Sequence, residues 1–154
     1  MAGVAKSVAA AREMLQKKMS NGEALEKFGE MIEAQGGDRR VCEDLSRLPV
    51  AKHTRPIPAL KSGSVQSIEC DQLGYAVIAL GGGRKMASDQ IDFGVGFEHP
   101  KKVGAPVKSG EPLTIMQYSD DGAAKEAERM VQQAYKISEQ SVTKRPQLIV
   151  QRIE

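Results

Sequence analysis

Residues 77–97 read VIALGGGRKMASDQIDFGVGF: an aliphatic run, three glycines, then Arg84 and Lys85. This is a place where chemistry could sit. Glycines let backbone N–H groups converge on an anion, and two cations beside them could add charge. Read as strand, glycine turn and helix start, the segment has the layout of a phosphate cradle. The known fingerprints do not fit it. A nucleotide P-loop needs a Lys-Ser or Lys-Thr pair directly after its last glycine, whereas Arg84-Lys85-Met86 follows here. A dinucleotide turn needs G-x-G-x-x-G; Gly81 and Gly83 supply two glycines, and Met86 stands where the third belongs. We therefore expect Gly81, Gly82 and Gly83 to form a structural turn, with Arg84 and Lys85 as the candidates for an anion contact.

Other reactive side chains are sparse. Cys42 and Cys70 lie 28 positions apart without a CxxC spacing, and His53 and His99 do not complete a zinc pattern with them. The expectation is two reduced, part-buried thiols, two loop histidines and no metal site. No residue of the chain is assigned a catalytic role.

The elements that must position the glycine turn follow from periodicity. Val4, Val8, Ala11, Leu15 and Met19 recur at helical spacing over residues 3–19, and Asn21-Gly22 stops that helix. A second helix carries Leu25, Phe28 and Ile32 and ends at Gly36-Gly37. Asp38 can cap a third, with Val41, Leu45 and Leu48, closed by Pro49. Three short helices make a thin core, so their apolar stripes should dock on the rest of the protein or on a further piece. From residue 50 the pattern turns strand-like: IPAL, SVQSIEC, YAVIAL, FGVGFE and PLTIMQY are short and bounded by glycine, proline or charge. Asp120-Asp121 should cap a long helix over residues 122–140 with Ala124, Ala127, Val131, Ala134 and Ile137 or Ser138 inward, and QLIVQRI should close the chain as a strand. The class is α+β: N-terminal helices, a mixed β-sheet, and a C-terminal helix. The expected division is a helical segment over 1–49 and a second domain over 50–154.

Composition narrows the function classes. The 154 residues carry 22 cations against 20 anions, a balance that does not suggest a nucleic-acid partner. At 40% hydrophobic the chain can bury a core, and at 4% aromatic that core should be aliphatic. No apolar run approaches membrane-spanning length, and the N-terminus lacks the features of a secretory signal, so a cytoplasmic protein is expected.

A second pattern lies in VGAPVKSGEPL, where Val103, Gly104, Val107, Gly110 and Leu113 mark strands with glycine corners; IPALKSGSVQSI is a related half. Such halves resemble the barrel-sandwich hammerhead of biotinyl and lipoyl carrier domains. Those domains present a lysine in Met-Lys-Met or Asp-Lys-Ala, and neither tripeptide occurs; Lys85 in GRKMAS is the nearest candidate. A carrier-like module is the alternative reading, together with a structural partner of an intact enzyme.

Taken together, the segments resemble the C-terminal part of the pyrimidine-nucleoside phosphorylases, the thymidine phosphorylases among them. The likeness is densest in LGYAVIALGGGRKMASDQIDFGVGF, and it extends to ALEKFGEMIEAQGGD, to VGAPVKSGEPLTIM and to AYKISEQ with the closing VQRIE. The resemblance implies reversible phosphorolysis, in which a pyrimidine nucleoside and phosphate give free base and a pentose 1-phosphate. Phosphate is then a co-substrate, and no cofactor is implied. It also implies that the phosphate and base sites lie in a missing N-terminal part of the same enzyme, whose full-length form is a homodimer. The sequence Lys52-His53-Thr54 is followed by Arg-Pro-Ile-Pro and not by the family's phosphate segment, so it receives no role.

Overall fold

The computed structural model describes residues 3–140, 142, 147 and 149–151. The chain forms two compact units, Met1–Leu48 and Pro49–Glu154.

The first unit is helical. Helix α1 spans Val8–Ser20, and α2 spans Glu23–Ala34. The first helix begins later than its apolar spacing suggests because Ser7 caps it, its hydroxyl accepting from the Ala10 N–H at 3.1 Å. Helix α2 ends where Gly36 turns to φ +81° and the Gly37 N–H returns to the Ile32 carbonyl at 2.9 Å. The expected third helix is two 3₁₀ turns, Arg39–Cys42 and Leu45–Arg47. Asp38 and Asp44 each accept from the amide two residues on, which closes a tight local turn in place of a continuing α-helix. Contact with Arg40 holds the Asp38 carboxyl down to about 2.

The second unit is α+β. Strand β1 (His53–Pro58) pairs antiparallel with β5 (Pro112–Tyr118), whose other edge carries β3 (Gly96–Glu98). A second sheet has β2 (Gly63–Ile68) between β4 (Pro106–Val107) and β6 (Tyr135–Ser138), again antiparallel. The mixed sheet expected from sequence is therefore two three-stranded antiparallel sheets, and among the described residues they do not close into a barrel.

Two further elements differ from the sequence reading. YAVIAL is not a strand but the body of helix α3, Cys70–Ala79. Leu73, Ala76 and Leu80 turn inward at spacings of three and four residues, and a helix satisfies its own backbone polar groups while burying them. Helix α4 spans Asp121–Ala134 and stops sooner than expected. Tyr135 and Ile137 are buried on either side of exposed Lys136, the alternation of a strand, and β6 pairs with β2. The Ala134 carbonyl at the junction accepts from the Glu69 N–H at 3.0 Å. The strand expected over residues 147–153 falls in part outside the described residues; Gln147 and Ile149–Gln151 carry no strand.

The core gathers both sheets and both helices. Ile57, Val65, Leu113 and Met116 meet Ala124, Ala127, Val131 and Ala134 of α4, all essentially inaccessible to solvent. Alanines on α4 and Ala76 on α3 let the two helices pack closely. Arg55 of β1 reaches across to Glu128 of α4 at 2.7 Å, and its guanidinium lies 5.2 Å from the centre of the Tyr118 ring.

Gly63 sits where β2 meets β6. Its φ is +147°, and a Cβ there would run into the Ser138 carbonyl. Backbone on the far side cannot move without breaking the β2–β6 pairing. Gly63→Ala is therefore expected to cost about 1–3 kcal/mol or more, read as a lowered midpoint in thermal or urea unfolding. A midpoint equal to wild type would show that the pairing does not constrain this corner.

Candidate functional site

The glycine triplet follows helix α3 and not a strand. Leu80 caps the helix, and Gly81 adopts φ +94°. The Gly81 N–H donates to the Ile78 carbonyl at 3.0 Å, and the Gly82 N–H donates to the Val77 carbonyl at 2.9 Å. This is a Schellman ending, the same device that closes α2 at Gly36-Gly37. Its electrostatics are those of a helix C-terminus. The dipole end is negative, so the turn presents carbonyls and spends the Gly81 and Gly82 amides on them. Gly82 and Gly83 pack their backbones against Val77 and Ile78, each leaving too little room for a Cβ at ordinary contact distance.

Two amides further along the chain, those of Lys85 and Met86, are taken. One oxygen of the Asp89 carboxylate accepts from the Lys85 N–H at 2.9 Å and from the Met86 N–H at 2.8 Å. At these two amides an internal carboxylate takes the place an external anion would have. Asp92 fixes the far end of the loop. Its amide donates to the Gly81 carbonyl at 2.9 Å, while its carboxylate accepts from the Gly94 N–H at 2.9 Å and from the Ser119 hydroxyl at 2.8 Å. Gly94 in turn lies against the backbone of Val50 and Ala51, where a Cβ would collide. Asp89 and Asp92 were not singled out by sequence reasoning. The available signal was a carboxylate four residues after Lys85 and another three further on, which is weak without the fold.

The side chains of Arg84 and Lys85 are exposed. Both border an open cleft of about 340 Å³ between α3 and α4, with Tyr75, Ile78, Glu126 and Met130. Lys85 lies in a helix-terminating loop and not in a β-hairpin, so it lacks the setting of a carrier lysine. Cations after a helix C-terminus are favourably placed whether or not they meet a ligand.

The hammerhead glycines lie at corners. Gly104 has φ +84°, and its N–H donates to the Val65 carbonyl at 2.8 Å. Gly110 has φ +87°, and its N–H donates to the Ala59 carbonyl at 2.8 Å. Val107 and Leu113 between and beyond these corners are buried. The corners thereby tie the 103–113 segment to β2 and to Ala59, just past the end of β1.

The remaining polar candidates are dispersed. His53 is on strand β1, not in a loop, and stacks tilted on Tyr118 with ring centres 5.3 Å apart. His99 is exposed at φ +50°. Cys42 is half-buried, but Cys70 is exposed, because it opens α3 on the helix's outer side. A larger cleft of about 720 Å³ is bordered by Lys61, Glu69, Gln132, Tyr135 and Lys136. Two of its polar side chains have partners within the chain. The Tyr135 hydroxyl donates to the Lys101 carbonyl at 3.1 Å, and burial pushes that phenol above its ordinary range. Lys136 pairs with Glu69 at 3.0 Å. Among the described residues, no group of histidine, cysteine and carboxylate side chains could hold a metal ion. No described helix is long and apolar enough to cross a membrane.

Paired sheets with glycine corners, and a helix ended by Gly-Gly-Gly-Arg, define a class of domain. Residues 64–138 match the family described as pyrimidine nucleoside phosphorylase C-terminal domain, and the chain carries that family's domain over these residues. Its relatives carry the likeness beyond those residues. A thymidine phosphorylase of Burkholderia cenocepacia (strain HI2424) is 37% identical over 153 residues, covering 99% of this chain and 34% of the relative. One from Burkholderia orbicola (strain MC0-3) is 40% identical over 134 residues, covering 86% of this chain and 31% of the relative. A pyrimidine-nucleoside phosphorylase of Bacillus subtilis (strain 168) is 43% identical over 106 residues, covering 69% of this chain and 24% of the relative. The chain thus spans about a third of the length of the thymidine phosphorylases it matches, and it corresponds to their C-terminal part.

The loop chemistry makes a contrast that can be measured. Asp89→Ala should destabilise the protein by about 1–3 kcal/mol, because two amides lose their acceptor. Gly81→Ala should cost about 1 kcal/mol through its left-handed backbone. Arg84→Ala should stay within about 0.5 kcal/mol of wild type. Urea unfolding of the three variants checks the order; a destabilising Arg84→Ala beside a silent Asp89→Ala would reverse the assignment.

Proposed function

We propose that this chain serves as the C-terminal portion of a pyrimidine-nucleoside phosphorylase. The whole enzyme exchanges the base of a pyrimidine nucleoside for phosphate, releasing free base and a pentose 1-phosphate. The observation that carries this reading is 37% identity to a thymidine phosphorylase across both units, not across the matched domain alone. In that reaction a phosphate oxygen attacks the anomeric carbon while the base leaves with developing negative charge. Such a step needs donors around phosphate, a cation near the departing base and exclusion of water. Several of this chain's own polar groups are otherwise engaged. The Lys85 and Met86 amides are held by Asp89, and Tyr135 and Lys136 of the larger cleft have partners within the chain.

The reading assigns residues 1–49 to the larger α/β lobe and residues 50–154 to the hammerhead domain. Gly81, Gly82, Gly83, Gly104 and Gly110 act as structural corners. Phosphate is a co-substrate, and no cofactor is required. The whole enzyme works as a homodimer in the cytoplasm, a setting with which two unpaired cysteines agree.

The isolated 154-residue chain should release no free base from thymidine or uridine in the presence of phosphate. Placed behind the preceding part of the Burkholderia cenocepacia enzyme, in place of its matched segment, it should support thymidine phosphorolysis. Turnover by the isolated chain that is abolished by a substitution within it would overturn this assignment, as would a folded but inactive chimaera.

A further inference from the structure

Helices α1 and α2 carry apolar residues at helical spacing, yet Gly29 is the one buried residue in the two helices. Val8 is 81% exposed, Met19 73%, Leu15 65%, Leu25 53% and Phe28 50%. The face of α1 is an open groove of about 580 Å³ bordered by Val8, Leu15 and Met19. Large apolar side chains left exposed on each of two successive helices mark a surface that another element covers.

The extent of the family likeness says what the cover is. The likeness to the Burkholderia cenocepacia enzyme takes in 99% of this chain, so these helices are within it, while two-thirds of that enzyme lies outside it. The matched segment is C-terminal there, so the outside part precedes it. The second unit is a poorer match for the face. Its core closes on itself, and its large exposed apolar residues, such as Leu60, Tyr75, Met86 and Phe93, come from separate segments.

We infer that the apolar face of α1 and α2 seats the phosphorylase segment that precedes the matched region in these relatives. The inference rests on the functional reading above and adds the surface through which the two parts join. Burial of the stripe is what fixes the helical unit to the larger lobe.

The test compares the 154-residue chain with the chimaera in which it replaces the matched segment of the Burkholderia cenocepacia enzyme. Amide hydrogen exchange over Val8–Ser20 and Glu23–Ala34 should slow by about tenfold or more in the chimaera. Leu15→Asp and Phe28→Asp should lower the chimaera's melting temperature while leaving that of the isolated chain unchanged. Exchange as fast in the chimaera as in the chain alone would overturn the inference, and so would variants silent in both. Strong protection already present in the isolated chain would also overturn it, assigning the face to the second unit if the chain is monomeric by light scattering, or to a second copy if it is dimeric. Thymidine turnover separates the two levels: an active chimaera with unprotected helices defeats the docking alone, and a protected but inactive one defeats the functional reading alone.

Discussion

The second unit depends on the narrow face of α4. Ala124, Ala127, Val131 and Ala134 are fully buried along one side of that helix. Small side chains there allow α3 to approach from one direction and the sheets from another. Larger residues would push α3 away, and with it the glycine turn at its end. The C-terminal end of the helix adds a second constraint. There α4 gives way to β6 without a connecting loop, so the helix axis and the β2–β6 pairing constrain each other.

Charge at the end of α3 is organised by the same packing. The helix delivers its carbonyl end to the Gly81–Gly83 turn, and the loop then bends back so that Asp89 and Asp92 take up free amides. A glycine-rich turn before two cations can look like an anion cradle when only residue types are considered. The direction of the preceding helix decides the matter, because an N-terminal turn offers amides and a C-terminal turn offers carbonyls. Arg84 and Lys85 complement that negative end. The loop's rigidity comes from carboxylate-to-amide bonds and from the close approach of Gly94 to the backbone at Val50 and Ala51.

The two units differ in how far each completes itself. The second has a continuous core from Ile57 to Ile137. The first has caps, turns and a salt-bridged surface, but its helices bury almost nothing. Local hydrogen bonding can shape short helices, whereas their stability in proteins comes mainly from covering an apolar face. That difference fits a chain matching about a third of each thymidine phosphorylase relative.

Local chemistry made much of this legible from sequence alone. The α+β class, the glycine corners at Gly104 and Gly110, the Asp120 cap and the buried stripe Ala124, Ala127, Val131 and Ala134 all follow from short-range patterns. The family likeness was also carried by residue order, above all by the GGGR block. Tertiary structure decided what those patterns leave degenerate. A six-residue aliphatic run such as YAVIAL suits a buried strand or a buried helix equally, since every side of it is apolar. Packing against the neighbouring α4 face goes with the helix, and the expected glycine turn is therefore a Schellman ending at a helix C-terminus. AYKIS likewise continues an apolar helical face until β2 offers an unpaired edge, at which point period two replaces period 3.6. Asp89 and Asp92 could not be singled out in advance, because their partners are backbone amides, which carry no mark in the sequence until the chain has turned.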